Sequence, residues 1–160
     1  MKKPGNRWLV IPATLLLSLF LNVVPYPGWV EFARPDWVTL VLFYWCLATP
    51  QWIGVGGGWL MGLLLDLMQY TLFGQHALGK ALVAASAHPR LRLCPLWQQC
   101  AVVLVISSLD TAIVMWVYHL AHGVEIRLQY WQTAVTTALL WPVAYVLMRR
   151  LRQRSGIVRG

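Results

Sequence analysis

The stretch Gly54–Lys80, GVGGGWLMGLLLDLMQYTLFGQHALGK, sets one aspartate, Asp66, among leucines, methionines, glycines and a tryptophan. A carboxylate in such a run is costly to bury without partners, and the cost rises in a hydrocarbon medium. Gly54, Gly58, Gly62 and Asp66 recur every four residues, which stacks them along one slowly drifting helix face. On a membrane helix a glycine stripe lets a second helix approach closely, so the spacing predicts that Asp66 faces protein and not lipid.

Composition sets the medium. Of 160 residues, 59% are hydrophobic and only 11% charged, whereas an ordinary globular domain carries roughly a quarter charged residues. That is too little charge to cover a water-facing surface, and residues 1–160 read as a single domain dissolved in a bilayer. The net charge of +8 could suggest nucleic acid, but its placement argues against that partner. Lys2, Lys3 and Arg7 precede the first apolar run, and Arg149, Arg150, Arg152, Arg154 and Arg159 follow the last, as membrane anchors do. Cys46, Cys94 and Cys100 form no CxxC pair, and His76, His88, His119 and His122 show no ligand spacing, so no disulfide framework, metal or cofactor is expected. There is no GxSxG, no Walker loop and no paired carboxylate beside a water-facing loop, so no enzyme is read here. The basic start followed by Trp8–Val24 resembles a secretory signal but lacks a small-x-small cleavage site, and a retained helix is expected.

Apolar runs cover residues 8–24, 36–48, 53–70, 78–87, 96–119 and 132–148, followed by a basic tail over 149–160. A span needs about 20 residues, and the second and fourth runs are short. With a cytoplasmic N-terminus and six spans, the inner segments hold Lys2, Lys3, Arg7, Arg90, Arg92 and the five C-terminal arginines. The outer loops hold Arg34 and Arg127, a bias of ten against two that puts both termini in the cytoplasm. A four-span arrangement with two re-entrant runs satisfies the same rule. The uninterrupted WVTLVLFYWCLA favours six, because irregular backbone facing lipid leaves polar groups unpaired. The expected fold is an all-α polytopic membrane protein with six transmembrane helices in one bundle. Trp8, Trp52 and Trp97 fall at inner ends of the runs and Trp29, Trp37 and Trp131 at outer ends, the half-wet zone that indole prefers. Pro142, mid-run, is expected to kink the sixth helix.

At 1.5 Å per residue, Asp66 lies about 6–10 Å below the outer end of its helix and Lys80 about 6 Å below the start of the next. Asp110 also falls in the outer half. The expectation is that Asp66, Lys80 and Asp110 converge on one level, either as a packing cluster or as a proton relay. The packing reading is favoured, since a relay needs a continuous polar path and only Ser107, Ser108 and Thr111 are at hand. If Asp66 acts by hydrogen bonding, Asp66→Asn is expected to be tolerated.

Four stretches in order resemble the bacterial rod shape-determining MreD family: RPDWVTLVLFYW at Arg34–Trp45, GWLMGLLLDL at Gly58–Leu67, SLDTAIVMW at Ser108–Trp116, and LWP at Leu140–Pro142 before the basic tail. The resemblance covers nearly the whole chain. It implies a multi-pass component of the bacterial inner membrane that binds the bitopic protein MreC. Through it the actin-like filament would be linked to the glycosyltransferase and transpeptidase of the elongation complex. It also implies a fold similar to the substrate-binding subunits of vitamin transporters. The family pattern lands on Arg34, Pro35, Gly62, Asp66, Asp110, Trp141 and Pro142, which join Gly54 and Gly58 as candidate partner-binding or packing residues. Lys80 departs from that pattern and is expected to be dispensable. Membrane lipids are further expected partners, and a homo-oligomer stays open. The alternative is a small transporter subunit that binds a metabolite in its outer half, which a polar outer cavity would favour.

Overall fold

A computed structural model describes residues 9–28, 33–72, 74–123 and 130–155. Among these the chain forms six α-helices and no strand: α1 Val10–Val23, α2 Trp37–Ala48, α3 Val55–Gln69, α4 Gln75–Ser86, α5 Leu96–His122 and α6 Trp131–Ser155. A short 3-10 turn, Pro89–Leu93, joins α4 to α5. The helices fall on the six apolar runs. The ends of the chain and the connections that carry Trp8, Trp29, Arg127 and Arg159 lie outside the described residues.

Local chemistry explains the helix limits. Asp36 caps α2, its carboxylate accepting the Thr39 amide at 3.0 Å. Gly123 closes α5 with φ +64°, a left-handed conformation that costs glycine little. Pro142 sits inside α6, and the helix continues on both sides of it. The missing amide leaves the Ala138 carbonyl without its usual donor.

The helix α2 forms the axis of the bundle. Its residues Val38–Leu40 and Leu42–Leu47 are buried, with α1, α4 and α6 packed around it. At 12 residues it is about 18 Å long, well short of the roughly 30 Å hydrocarbon core. Only a helix with lipid around it would have to be a full second span. Protein surrounds α2 instead, so its short length exposes no backbone to hydrocarbon. Trp45 and Trp141 are both fully buried; their indole N–H groups donate to Thr14 Oγ1 at 2.9 Å and Gln99 Oε1 at 3.2 Å. The edge of Phe43 meets Trp141 at a centroid distance of 5.1 Å.

Several polar side chains are buried within a mainly apolar core, and large apolar side chains face outward. Lys80, Asp66, Asp110, Asn22 and Gln99 are buried, while Leu16, Leu17 and Phe20 of α1, Leu109 and Trp116 of α5, and Leu139 and Val143 of α6 are exposed. Buried charges together with many large exposed apolar side chains suit a hydrocarbon surround. By length and composition, α5 is long and apolar enough to cross a membrane, and α1 and α2 are apolar but shorter.

The most extensive helix pair is α3 with α4. A Cβ on Gly62 would run into the backbone of His76 and Ala77, and one on Gly58 into the Lys80 carbonyl and the Ala84 methyl. Gly54 opens the helix instead, with nothing within 4 Å of the corresponding position. The stripe is therefore two residues deep, and α4 occupies it. Gly62→Leu is expected to separate α3 from α4 and remove most folded protein, since even modest overpacking costs about 1–3 kcal/mol. Gly54→Ala should lower the melting temperature by only about 1–3 °C, because it meets no atom and loses only the N-cap preference for glycine over alanine. Thermal melts of the two purified variants check both.

Candidate functional site

Three helices meet at one ammonium group, and two more join it through Asp36. Lys80, on the second turn of α4, is 1% exposed, and its side chain reaches across the bundle. Its Nζ donates to Asp110 Oδ2 on α5 at 2.5 Å, to Thr39 Oγ1 on α2 at 2.9 Å, and to Asp36 Oδ2 at the start of α2. An ammonium has three donors, and all three are used.

Asp36 is the hub on the other side. Its Oδ1 accepts the Asn22 amide of α1 at 3.2 Å besides capping α2, and its Oδ2 accepts the Thr39 hydroxyl at 2.7 Å. Asn22 returns a bond by accepting the Trp37 amide at 3.3 Å. The Asp36 amide donates to Thr137 Oγ1 of α6 at 2.9 Å. One cation thus faces two carboxylates in a shielded site, where paired charges hold firmly and an unpaired one is costly.

The neighbouring helix makes room for this. A Cβ on Gly79 would overlap the Asp110 carboxylate, so a glycine one residue before Lys80 lets Asp110 lie against α4. The second oxygen of Asp110, Oδ1, is buried and has no hydrogen-bond partner among the described residues. The same holds for Gln75 Oε1, although the Gln75 amide donates to the Val114 carbonyl at 3.1 Å. Both side chains line a cavity of about 320 Å³, together with Asn22, Arg34, Asp36 and His76.

Asp66 belongs to a second node, and its pairing with Lys80 is not found. Its Oδ1 accepts the Thr71 hydroxyl at 3.1 Å, the His76 amide at 2.9 Å and His76 Nδ1 at 2.7 Å. Its Oδ2 accepts the Gly74 amide at 2.9 Å. The His76 ring must carry its proton on Nδ1 to face a carboxylate this way. Asp66 therefore clamps the α3–α4 turn and the free N–H groups at the start of α4. This revises the expected tolerance of Asp66→Asn: an amide offers one acceptor oxygen where four donors converge, and it turns its own N–H groups toward some of them.

The remaining sequence candidates separate by role. Arg34 Nη1 reaches the Val24 carbonyl at 3.5 Å and its guanidinium lies 5.8 Å from the Tyr26 ring, which staples the α1–α2 connection at the cavity rim. Pro35 immediately precedes the Asp36 cap. Gly58 and Gly62 pack α4, and Trp141 and Pro142 lie in the α6 core away from both nodes. Asp36, Asn22, Thr39, Thr137, Gly79 and His76 were not singled out from sequence. Only Asp36 carries a clear signal: an acidic residue just before an apolar helical run is an N-cap candidate.

Lys80 is the correction with most consequence, since an expendable lysine would not sit between two buried carboxylates. Lys80→Met should strip the protein of most of its folded population, because removing one partner of a buried ion pair costs about 3–5 kcal/mol. Adding Asp110→Asn and Asp36→Asn to Lys80→Met should restore part of the loss. Quantifying membrane-inserted, protease-resistant protein for the single and triple variants reads both effects.

A sequence profile described as rod shape-determining protein MreD matches residues 2–151 of the chain. The rod shape-determining protein MreD of Haemophilus influenzae is 29% identical over 151 residues, covering 92% of this chain and 93% of that protein. No solved structure matches.

Proposed function

The chain belongs to the rod shape-determining protein MreD family, and from that premise we propose that it is a multi-pass scaffold of the bacterial inner membrane, with six helices crossing and both termini in the cytoplasm. Family membership already makes it a shape-determining membrane protein and not an enzyme. On the proposed reading it binds the bitopic protein MreC and connects the actin-like filament to the cell-wall synthase. The observation that carries the reading is the use of the intramembrane charges: Asp36, Lys80 and Asp110 hold helices to one another. A protein whose buried charges fix its shape, and whose exterior is apolar along several helices, suits docking of partner helices.

Because α4 fills Gly58 and Gly62, the glycine stripe is withdrawn as the docking face, and the bitopic partner is assigned to the outward apolar surface. The metabolite-binding alternative also has an observation in its favour. The outer cavity of about 320 Å³ is lined by two buried acceptors, Asp110 Oδ1 and Gln75 Oε1, that await a donor. Water can serve as that donor as well as a metabolite can, so the cavity supports the alternative less than the helix clamp supports the scaffold.

Expression in rod-shaped cells that lack their own MreD tests the proposal. The chain should restore rods and retain MreC on affinity purification, and a cytoplasm-active reporter fused after Gly160 should be active. Round cells with normal amounts of protein, or a periplasm-active signal from that fusion, would contradict it.

A further inference from the structure

The end of the bundle away from the Lys80 cluster carries a different kind of cavity. It measures about 450 Å³ and is built on the C-terminal end of α2, the 3-10 turn and the C-terminal part of α6. Arg92, Arg149 and Arg152 line it with Tyr44, Tyr145 and Leu93. Tyr44 is 2% exposed, yet its hydroxyl has no hydrogen-bond partner among the described residues, and neither does the buried Nε of Arg152. The Arg152 guanidinium lies over the Tyr44 ring, 6.0 Å from its centroid.

The missing partner is an anion, and no carboxylate lines this cavity among the described residues. The acidic side chains of the protein are Glu31, Asp36, Asp66, Asp110 and Glu125. The three aspartates are committed to the two polar nodes. Three guanidinium groups around one cavity, with a buried hydroxyl donor, suit a tetrahedral oxyanion that accepts from several directions at once. Leu93 and the end of α2 add an apolar wall, which suits an oxyanion with hydrocarbon attached.

We propose that this cavity is a phosphate-binding site, with the phosphate carried by an anionic phospholipid headgroup. Arg92 and Arg149 grip it from the exposed side, and Tyr44 and Arg152 from the buried side. Such a site would bind one lipid in a defined place, in contrast to the diffuse attraction between a basic tail and a charged leaflet.

The full chain, purified in mild detergent, is titrated with phosphatidylglycerol, phosphatidylcholine and inorganic phosphate, with bound lipid counted by native mass spectrometry. The charge-matched pair R92Q/R149Q and R150Q/R154Q replaces exposed arginines, two in the cavity and two outside it. Phosphatidylglycerol should bind about tenfold more weakly to R92Q/R149Q, a few-fold more weakly to Tyr44→Phe, and within about twofold of the parent to R150Q/R154Q. Binding of inorganic phosphate that R92Q/R149Q abolishes would support the phosphate site and move its source from the bilayer to solution. Equal losses in the two double variants would overturn the proposal, as would equal affinity for the two lipids with no binding of phosphate.

Discussion

The bundle depends on one ion cluster, the Lys80 ammonium held by Asp36 and Asp110. In a medium without water each of these charges is expensive alone, and only mutual pairing with complete hydrogen bonding makes them tolerable. That requirement is directional. The three donors of Lys80 can be satisfied only if the start of α2, the second turn of α4 and the middle of α5 sit at one level. Asn22 and Thr137 then bring α1 and α6 to the same point through the Asp36 side chain and amide. Hydrophobic burial alone would not set such a register among lipid-bathed helices, because lipid tails are as apolar as leucine.

The remaining helix, α3, joins by a different device. Gly58 and Gly62 let its backbone touch α4, and Asp66 ties its end to the first amides of α4 through the intervening turn. The α3–α4 hairpin is thereby a rigid unit, and it fixes where Lys80 enters the bundle. Close packing and the ion cluster are consecutive links: a displaced α4 would pull the ammonium from its carboxylates. This also explains how two 12-residue helices, α2 and α4, are accommodated in a bundle read as spanning the bilayer. Their polar ends are satisfied within the protein, so neither needs to match the full thickness of the hydrocarbon.

Much of the architecture was readable because apolar runs and the breaks between them are local signals. Each of the six runs falls on a helix, although α6 continues to Ser155 through the stretch read as a basic tail, and of the glycine stripe only Gly58 and Gly62 lie against α4. Rise per residue set Asp66 and Lys80 at similar depth and left Asp110 only in the same half, yet Asp110, not Asp66, is the one that Lys80 meets. Partner identity was not readable. Helix rise puts Asp66 beside Lys80, yet Asp66 turns to the amides at the start of α4, which sequence spacing cannot reveal. Asp36 was read as the edge of a span, because its two jobs, capping α2 and pairing Lys80, become visible only when distant helices are brought together. Gly79 escaped notice for the same reason: its missing side chain serves Asp110, 31 residues further on.

Lys80 pairs with Asp36 and Asp110 and not with Asp66. Solid-state NMR on the protein in bilayers, with labelled lysine Nζ and aspartate carboxyl carbons, measures those separations directly. Both the Lys80–Asp36 and Lys80–Asp110 nitrogen-to-carbon distances should fall near 3.5 Å, roughly the reach of a charge-assisted hydrogen bond plus one C–O bond. A distance beyond about 6 Å for either pair, or a Lys80 nitrogen instead in contact with the Asp66 carboxyl, would contradict the account.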